Sequence, residues 1–281
     1  MDEQALLVDS HAHLDGWKTP EEEASVLARA RAAGVVAVVD VGTDEATSRL
    51  AVEAALRHSE GDARPSEAAG RLAMVLATVG VHPHDASAFT DAACETLRAL
   101  AARPRVVAIG ECGLDYFRDL SPREVQRRVF ARQLALAREV GLPVVVHCRE
   151  AYGECLDIVR GELGVPARGV LHCFQGDADA ARRALDLGLC LGIGGSLTFP
   201  REEALRRTVA GLPLERLLVE TDSPYLTPRP RRGRNEPALV RLVAECLARV
   251  LSATIERVAE ATTANACQLF RLGEGASRNC R

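Results

Sequence analysis

Two histidines stand one residue apart near the N-terminus, in the stretch VDSHAHLDG at 8–16. Side chains two apart on an extended strand project to the same side. If residues 6–9 form a strand, His11 and His13 leave its end together, and two imidazoles on one side can share a metal ion. Polar residues that only solvate a strand end look the same locally. Further along, GVHPHD carries His82 and His84, GECGLDY carries Glu111 and Asp115, and HCRE carries His147 and Arg149. HCFQG then brings His172, and ETDSPY brings Glu220 and Asp222. Each has an ordinary reading by itself: a satisfied core histidine for His147 or His172, an arginine partner for Glu111, a turn cap for Asp222. Taken together they suggest metal-assisted hydrolysis.

The elements that would position them are short apolar runs, at 6–9, 35–41, 73–79, 106–109, 144–146, 170–171, 190–193 and 217–219. Helical spacing separates them, as in PEEEASVLARARAAG and VQRRVFARQLALAREVG. The first opens on Pro and three glutamates, as helix starts prefer, and both close on Gly. Strand and helix alternating about eight times in 281 residues predicts a parallel sheet closed into a single (β/α)8 TIM barrel, with an open doubly wound sheet as the competitor. One domain over 1–272 is expected, with 273–281 a flexible tail. Two stretches interrupt the alternation: 59–71, read as a surface loop, and 223–237, too rich in Pro and Arg for a helix. Six of the seven histidines fall at run ends; His58 is the exception. In a barrel those ends meet on one face, where such enzymes place their sites.

Four imidazoles and two carboxylates turned toward one cavity would carry large desolvation and repulsion costs without a cation. There are too many ligands for one tetrahedral ion, so two ions about 3.5–4 Å apart are expected. His11, His13 and Asp222 are assigned to one ion, His147 and His172 to the other, with Glu111 bridging. Mixed imidazole and carboxylate ligation suits Zn or Mn, or Mg with waters completing its shell. A carbamylated lysine bridge is excluded, because Lys18 is the only lysine and precedes the first helix. Cys112, Cys148 and Cys173 adjoin the proposed ligands and are expected to turn away from them, against the helices.

The net charge of −4 and pI near 6.0 exclude a protein that coats nucleic acid by bulk charge. The nine cysteines form no paired spacing. No apolar run approaches the roughly 18 residues needed to span a membrane, and no signal peptide is read at the N-terminus. A cytoplasmic protein is expected, with a monomer slightly favoured.

The chain resembles the TatD family of metal-dependent deoxyribonucleases, a branch of the amidohydrolase-like barrels. The matching motifs are VDSHAHLD, GVHPH, AIGECGLDY, LPVVVHCRE, GVLHCFQG, LGIGG, RLLVETDSPYLTP, RGRNEP and TTANACQLF, in family order to residue 270. The resemblance puts metal ligands on His11, His13, Glu111, His147, His172 and Asp222, the set already reached from the run ends. It also implies 3′ exonuclease activity. Gln175 stands where the family usually has Ser or Thr, and 152–155 departs from a common acidic run; neither touches a proposed ligand.

For the reaction, Asp222 is read as general base toward a water activated by two ions. Phosphodiester cleavage in DNA, single-stranded or end-frayed, is the expected chemistry. Arg229, Arg231, Arg232 and Arg234 follow the eighth run, and Arg149 follows the fifth. Arginine binds phosphate oxygens in a fork, though such a run is as often a solvated or acid-paired loop. Tyr116, Phe117 and Tyr225 are candidates to stack bases. His82 and His84 are candidates to contact phosphate. The alternative is a small-molecule amidohydrolase or phosphoesterase using the same metal centre.

Overall fold

A computed structural model of the chain describes residues 5–17, 19–58 and 73–272. Lys18, the 59–71 loop and the 273–281 tail of the sequence reading lie outside the described residues. The strands are β1 Leu7–Ala12, β2 Val35–Val41, β3 Met74–Val79, β4 Val106–Asp115, β5 Val144–Arg149, β6 Gly169–Leu171, β7 Cys190–Ile193 and β8 Leu217–Val219. All seven neighbouring pairs are parallel and follow sequence order. A parallel bridge between Ala12 and Ser223 joins the last strand to the first and makes the barrel nearly closed. The eight-stranded TIM barrel expected from the sequence is therefore the fold, and the open sheet is not.

Helices α1 Pro20–Ala32, α2 Glu45–Arg57, α3 Asp91–Ala101, α4 Arg123–Val140, α5 Tyr152–Leu163, α6 Ala178–Asp186, α7 Glu203–Ala210 and α8 Val240–Val250 follow the strands in turn. Their starts are local: Thr19, Asp44, Thr90 and Asp177 each accept a backbone N–H in the first turn. Of the 223–237 stretch, residues 223–236 are not helical, as its Pro and Arg content predicts, and only Pro237 enters a short 3-10 turn.

Strand alternation sorts the core into two layers. Val8, Val39, Leu76, Ala108, Val145, Val170, Cys190 and Leu218, one from each strand, pack together inside the barrel. The intervening residues, such as Val38, Val75, Val146 and Leu191, meet the helices. A ninth helix, α9 Ile255–Phe270, adds Ala266, Leu269 and Phe270 to the inner layer. Asn265 bonds the carbonyls of Leu214 and Leu217, and Thr263 bonds that of Leu6, so α9 covers the N-terminal end of the barrel. The C-terminal end is left to the polar residues. Among the described residues no helix is long and apolar enough to cross a membrane.

Three strands run further than their apolar cores. β1 continues into His11, β4 continues through Glu111 to Asp115, and β5 continues through His147 to Arg149. These chemical residues are thus built into strands rather than placed beyond them. On β5 alternation continues unbroken from Val145 to His147, whereas on β1 and β4 the register shifts between Asp9 and Ala12 and between Ile109 and Cys112, so the apolar runs alone do not place His11 and Glu111.

Candidate metal centre

The side of β5 that puts Val145 inside the barrel also carries His147 one step up and Arg149 at the mouth. On β4, Cys112 and Leu114 join the outer layer, leaving Glu111 and Asp115 on the inner side. The two glycines around Glu111 have a steric reason. Gly110 and Gly113 both have positive φ, 143° and 150°, and a Cβ at Gly113 would stand 1.9 Å from the His147 carbonyl oxygen. A Cβ at Gly110 would stand 2.4 Å from that of Val145. Only glycine lets β4 lie this close to β5, and that approach brings Glu111 against His147.

Glu111 is the hub. Its Oε1 lies 2.9 Å from His147 Nδ1, 2.9 Å from His172 Nε2 and 3.5 Å from His82 Nε2. Its Oε2 faces the other way, 3.3 Å from His11 Nε2 and 4.0 Å from His13 Nε2. Asp222 Oδ1 lies 3.4 Å from His13 Nε2 and 3.8 Å from His11 Nε2. His11 Nε2 and His13 Nε2 are 3.3 Å apart, and His147 Nδ1 and His172 Nε2 are 3.4 Å apart. His11 also stacks on His172 with ring centroids 3.9 Å apart.

The hydrogen bonds on the far side of each ring fix what the near side offers. His13 Nδ1 lies 3.0 Å from the Val41 carbonyl, so it donates and leaves the Nε2 lone pair facing His11 and Asp222. His147 Nε2 lies 3.0 Å from Asp115 Oδ2, so its Nδ1 lone pair faces Glu111. His82 is the reverse. Its Nδ1 accepts the His84 backbone N–H at 3.1 Å, so its proton sits on Nε2 and points inward as a donor. Among the described residues His11 Nδ1 has no hydrogen-bond partner, and His172 Nδ1 stands 3.4 Å from Glu220 Oε1 without bonding it.

Asp222 sits just after β8 with φ 57°, in a left-handed conformation that needs support. Its N–H bonds the His11 carbonyl, and His13 N–H bonds the Ser223 carbonyl. Buried Asp9 accepts from Thr221 N and Oγ1 at 2.8 and 2.6 Å. Asn235, fully buried, donates to the carbonyls of Thr221 and Tyr225. The RGRNEP segment is structural here: Arg234 stacks 4.5 Å over Trp17 and bonds the Gly16 carbonyl, and Glu236 is paired with Arg29.

The cluster takes up positive charge. Burial pushes the Glu111 carboxyl up, but the neighbouring His172, His82 and His11 outweigh this and hold it well below the usual range. Burial pushes His13 down, yet the negative charge of the Asp222 carboxylate beside it brings it up to about 9. His172 is likewise raised against its burial by Glu111. Asp222, raised by burial, is brought below its ordinary value by His13. For His82 burial prevails and the ring is held well below its usual value. Paired imidazole nitrogens 3.3–3.4 Å apart, each with a carboxylate beside it, are a donor set that a cation satisfies and a shared proton satisfies only in part. Two triads can be drawn without His82: His11, His13 and Asp222, and His11, Glu111 and His172. A third, His82, Glu111 and His147, would require His82 to give up its Nε2 proton.

The centre opens into a cavity of about 1320 Å³. His84, Arg149 and Tyr225 line it, as do Phe199, Ser196 and Arg118. Arg149 lies 4.0 Å over the exposed Phe117 ring, and Tyr225 meets His13 edge-on at 6.0 Å. Arg232 is exposed on its loop and does not line the cavity; Arg229 lies 5.9 Å over Phe199. Tyr116 faces away, bonding Glu154 under the Arg123 guanidinium. Arg118 was not singled out in the sequence, and Asp115, named there beside Glu111, was given no role. The strand parity that selects Glu111 also selects Asp115, and that signal was present in GECGLDY. Cys112 and Cys148 are buried as expected, although Cys148 also reaches the cavity lining, and Cys173 is half-buried and lines the cavity. The reason is that β6 ends at Leu171, so strand alternation no longer governs residue 173.

Comparison with known proteins agrees with this geometry. The family model described as TatD related DNase matches residues 8–271. An uncharacterized metal-dependent hydrolase of Bacillus subtilis, YabD, is 38% identical over 95% of this chain and 100% of its own. The 3′-5′ ssDNA/RNA exonuclease TatD of Musicola paradisiaca is 38% identical over 95% of this chain and 99% of its own. Among solved structures, YjjV, a TatD homolog from Escherichia coli K12, superposes with a TM-score of 0.84 at 29% identity, covering 96% of this chain and 99% of that one. With the match running nearly end to end and the histidine and carboxylate cluster at the barrel mouth, the chain belongs to the TatD related DNase family and is a metal-dependent hydrolase of ester bonds.

Proposed function

We propose that the protein is a two-metal exonuclease that hydrolyses phosphodiester bonds at the 3′ end of single-stranded or end-frayed DNA. The observation that carries this reading is the split of the Glu111 carboxylate, one oxygen toward His147 and His172 and the other toward His11. His11, His13 and Asp222 would hold one ion and His147 and His172 the second, with Glu111 between them. When bound, such ions polarise phosphoryl oxygens and make water acidic enough to attack at neutral pH. The nitrogen-rich set suits Zn or Mn, with Mg needing more water ligands.

The chain's own groups have distinct tasks. Asp222, partly open to the cavity, accepts the proton of the attacking water. His82 presents its Nε2 proton to a non-bridging phosphoryl oxygen, as does a donor preset for developing charge. Arg118 and Arg149 hold the flanking phosphate on the wall that His84 also lines, with Arg232 available to a longer strand. Phe117 and Tyr225 offer faces to the terminal bases. The name of the Musicola relative supports a nucleic-acid end as substrate. So does a cavity above the roughly 300–1,000 Å³ of ordinary small-molecule sites.

A second reading is a small-molecule phosphoesterase or amidohydrolase with the same centre. It is favoured by the acidic residues Asp177, Asp179 and Glu202 on the outer wall, which repel a polyanion. End-labelled single-stranded DNA, incubated with Zn, Mn or Mg, separates the two. Stepwise shortening from the 3′ end is expected. An intact oligonucleotide with the metal bound, alongside turnover of small esters, would refute the nuclease reading.

A further inference from the structure

We propose that Asp115 is a positioning residue that fixes the protonation of two histidines at once and thereby presents His147 to the metal through Nδ1. The proposal rests on the reading of His147 as a metal ligand. The residue lies at the end of β4 and is 1% exposed. Its Oδ1 accepts the backbone N–H groups of Phe117 and Arg118 at 3.0 and 2.7 Å. Its Oδ2 lies 3.1 Å from His84 Nε2 and 3.0 Å from His147 Nε2. The backbone is held as firmly: Gln126, buried on α4, accepts from Asp115 N and donates to its carbonyl.

An ionised carboxylate only accepts hydrogen bonds. Four groups point at this one, two of them amides that can only donate, so both imidazoles must also donate from Nε2. For neutral His147 this empties Nδ1, the nitrogen 2.9 Å from Glu111 Oε1 and 3.4 Å from His172 Nε2. The same bond turns His84 so that only its Nδ1 edge can address the cavity. The amides of Phe117 and Arg118 are tied to the other oxygen, so the wall that carries the stacking ring and the exposed arginine is set by the same side chain. A histidine ligand oriented by a carboxylate commonly loses 10–100-fold in metal affinity when that partner is removed.

Asparagine makes the test specific, because it keeps the shape and reverses the hydrogen bonding. With its oxygen on the two amides, the NH2 group of the Asp115→Asn side chain faces two nitrogens that were donors. His147 must then move its proton to Nδ1 and lose the lone pair that faces the metal. A purely structural role predicts that Asn is harmless and Ala damaging. A tautomer-setting role predicts that Asn is at least as damaging as Ala. Zinc affinity of the full chain, measured by chelator competition without substrate, reads the difference. The expected result is a loss of about 10–100-fold for Asp115→Asn, no smaller than that of Asp115→Ala. An Asn variant within about threefold of the parent, or milder than Ala, overturns the proposal.

Should either variant fail to fold, 15N spectra of the parent chain loaded with zinc decide the matter directly. His147 is expected to carry its proton on Nε2 and the metal on Nδ1. The opposite arrangement overturns the proposal while leaving His147 a ligand. A His147 with no bound metal overturns the ligand reading itself.

Discussion

Glu111 Oε2 stands 3.3 Å from His11 Nε2, although one residue belongs to β4 and the other to β1. The other oxygen of the same carboxylate is occupied with His147 and His172, so a single side chain spans both halves of the centre. Glu111→Gln keeps the volume but offers one weak acceptor and an NH2 group that opposes ligation. Loss of about 10²-fold or more in kcat/KM is expected, together with less than the full complement of metal. Elemental analysis of the purified variant against the parent checks the second point; an unchanged metal content would remove Glu111 from the bridge.

His82 is near enough to Glu111 to be taken for a ligand, yet its proton faces inward. His82→Gln preserves a donor of similar reach and His82→Ala removes it. Both are expected to retain the parent's metal content, while the Ala variant loses about 10²-fold in kcat, as removal of a preset donor does elsewhere. His147→Gln, by contrast, is expected to lose metal. Metal stoichiometry measured on all three variants separates donor from ligand. A His82→Ala protein stripped of one ion would show that the ring coordinates after all.

The fold was legible because each strand announces itself by a Val- or Leu-rich run and the helices by their spacing, with Pro20 opening α1 and Gly141 closing α4. The metal-site candidates were legible because histidine is scarce here and falls where the runs stop. What the sequence hid was the direction of ring nitrogens. His82 and His147 look alike in GVHPH and VVHCRE, and only the His84 amide and the Asp115 carboxylate tell them apart. The arginine loop was misleading for a related reason. Charge along the chain cannot say that Arg234 is spent on Trp17 and the Gly16 carbonyl, or that Arg118 on another loop lines the cavity.

Arg118 and Arg149 are exposed, line the cavity, and form no ion pair among the described residues. Substituting either by Ala is expected to raise KM for an oligonucleotide several-fold, with kcat less affected, since each acts on substrate away from the reacting bond. The effect should shrink as salt increases. Arg232→Ala is expected to matter only for longer strands. Steady-state kinetics on oligonucleotides of graded length test all three; equal KM values for parent and Arg118→Ala at low salt would exclude Arg118 from the substrate path.

Asn235 supports Asp222 from behind by bonding the carbonyls of Thr221 and Tyr225. Asn235→Ala leaves the buried Thr221 carbonyl and the half-buried Tyr225 carbonyl without this donor, which costs about 1–3 kcal/mol. A lower urea midpoint with an unchanged slope is expected. Activity should fall with it, because the left-handed turn that aims Asp222 is loosened.

Away from the mouth, Glu23 on α1 is 7% exposed and accepts a hydrogen bond from His58 Nε2, with Arg57 Nε at 3.5 Å. Burial pushes this carboxyl up, but the His58 bond and the Arg57 charge outweigh it and hold it below its ordinary value of 4.5. A carboxyl depressed on folding binds fewer protons in the folded state than in the unfolded one. Its contribution is therefore complete above the unfolded value and disappears as the pH falls through the lower, folded one. Glu23→Gln is expected to cost about 1–2 kcal/mol at pH 7. The gap between parent and variant should begin to narrow near pH 4.5 and continue to narrow in more acidic solution. Urea unfolding across that range, with chelator present throughout so that metal release does not intrude, measures the gap. A difference that stays constant down to the acid limit would mean that the pair contributes by packing and not by charge.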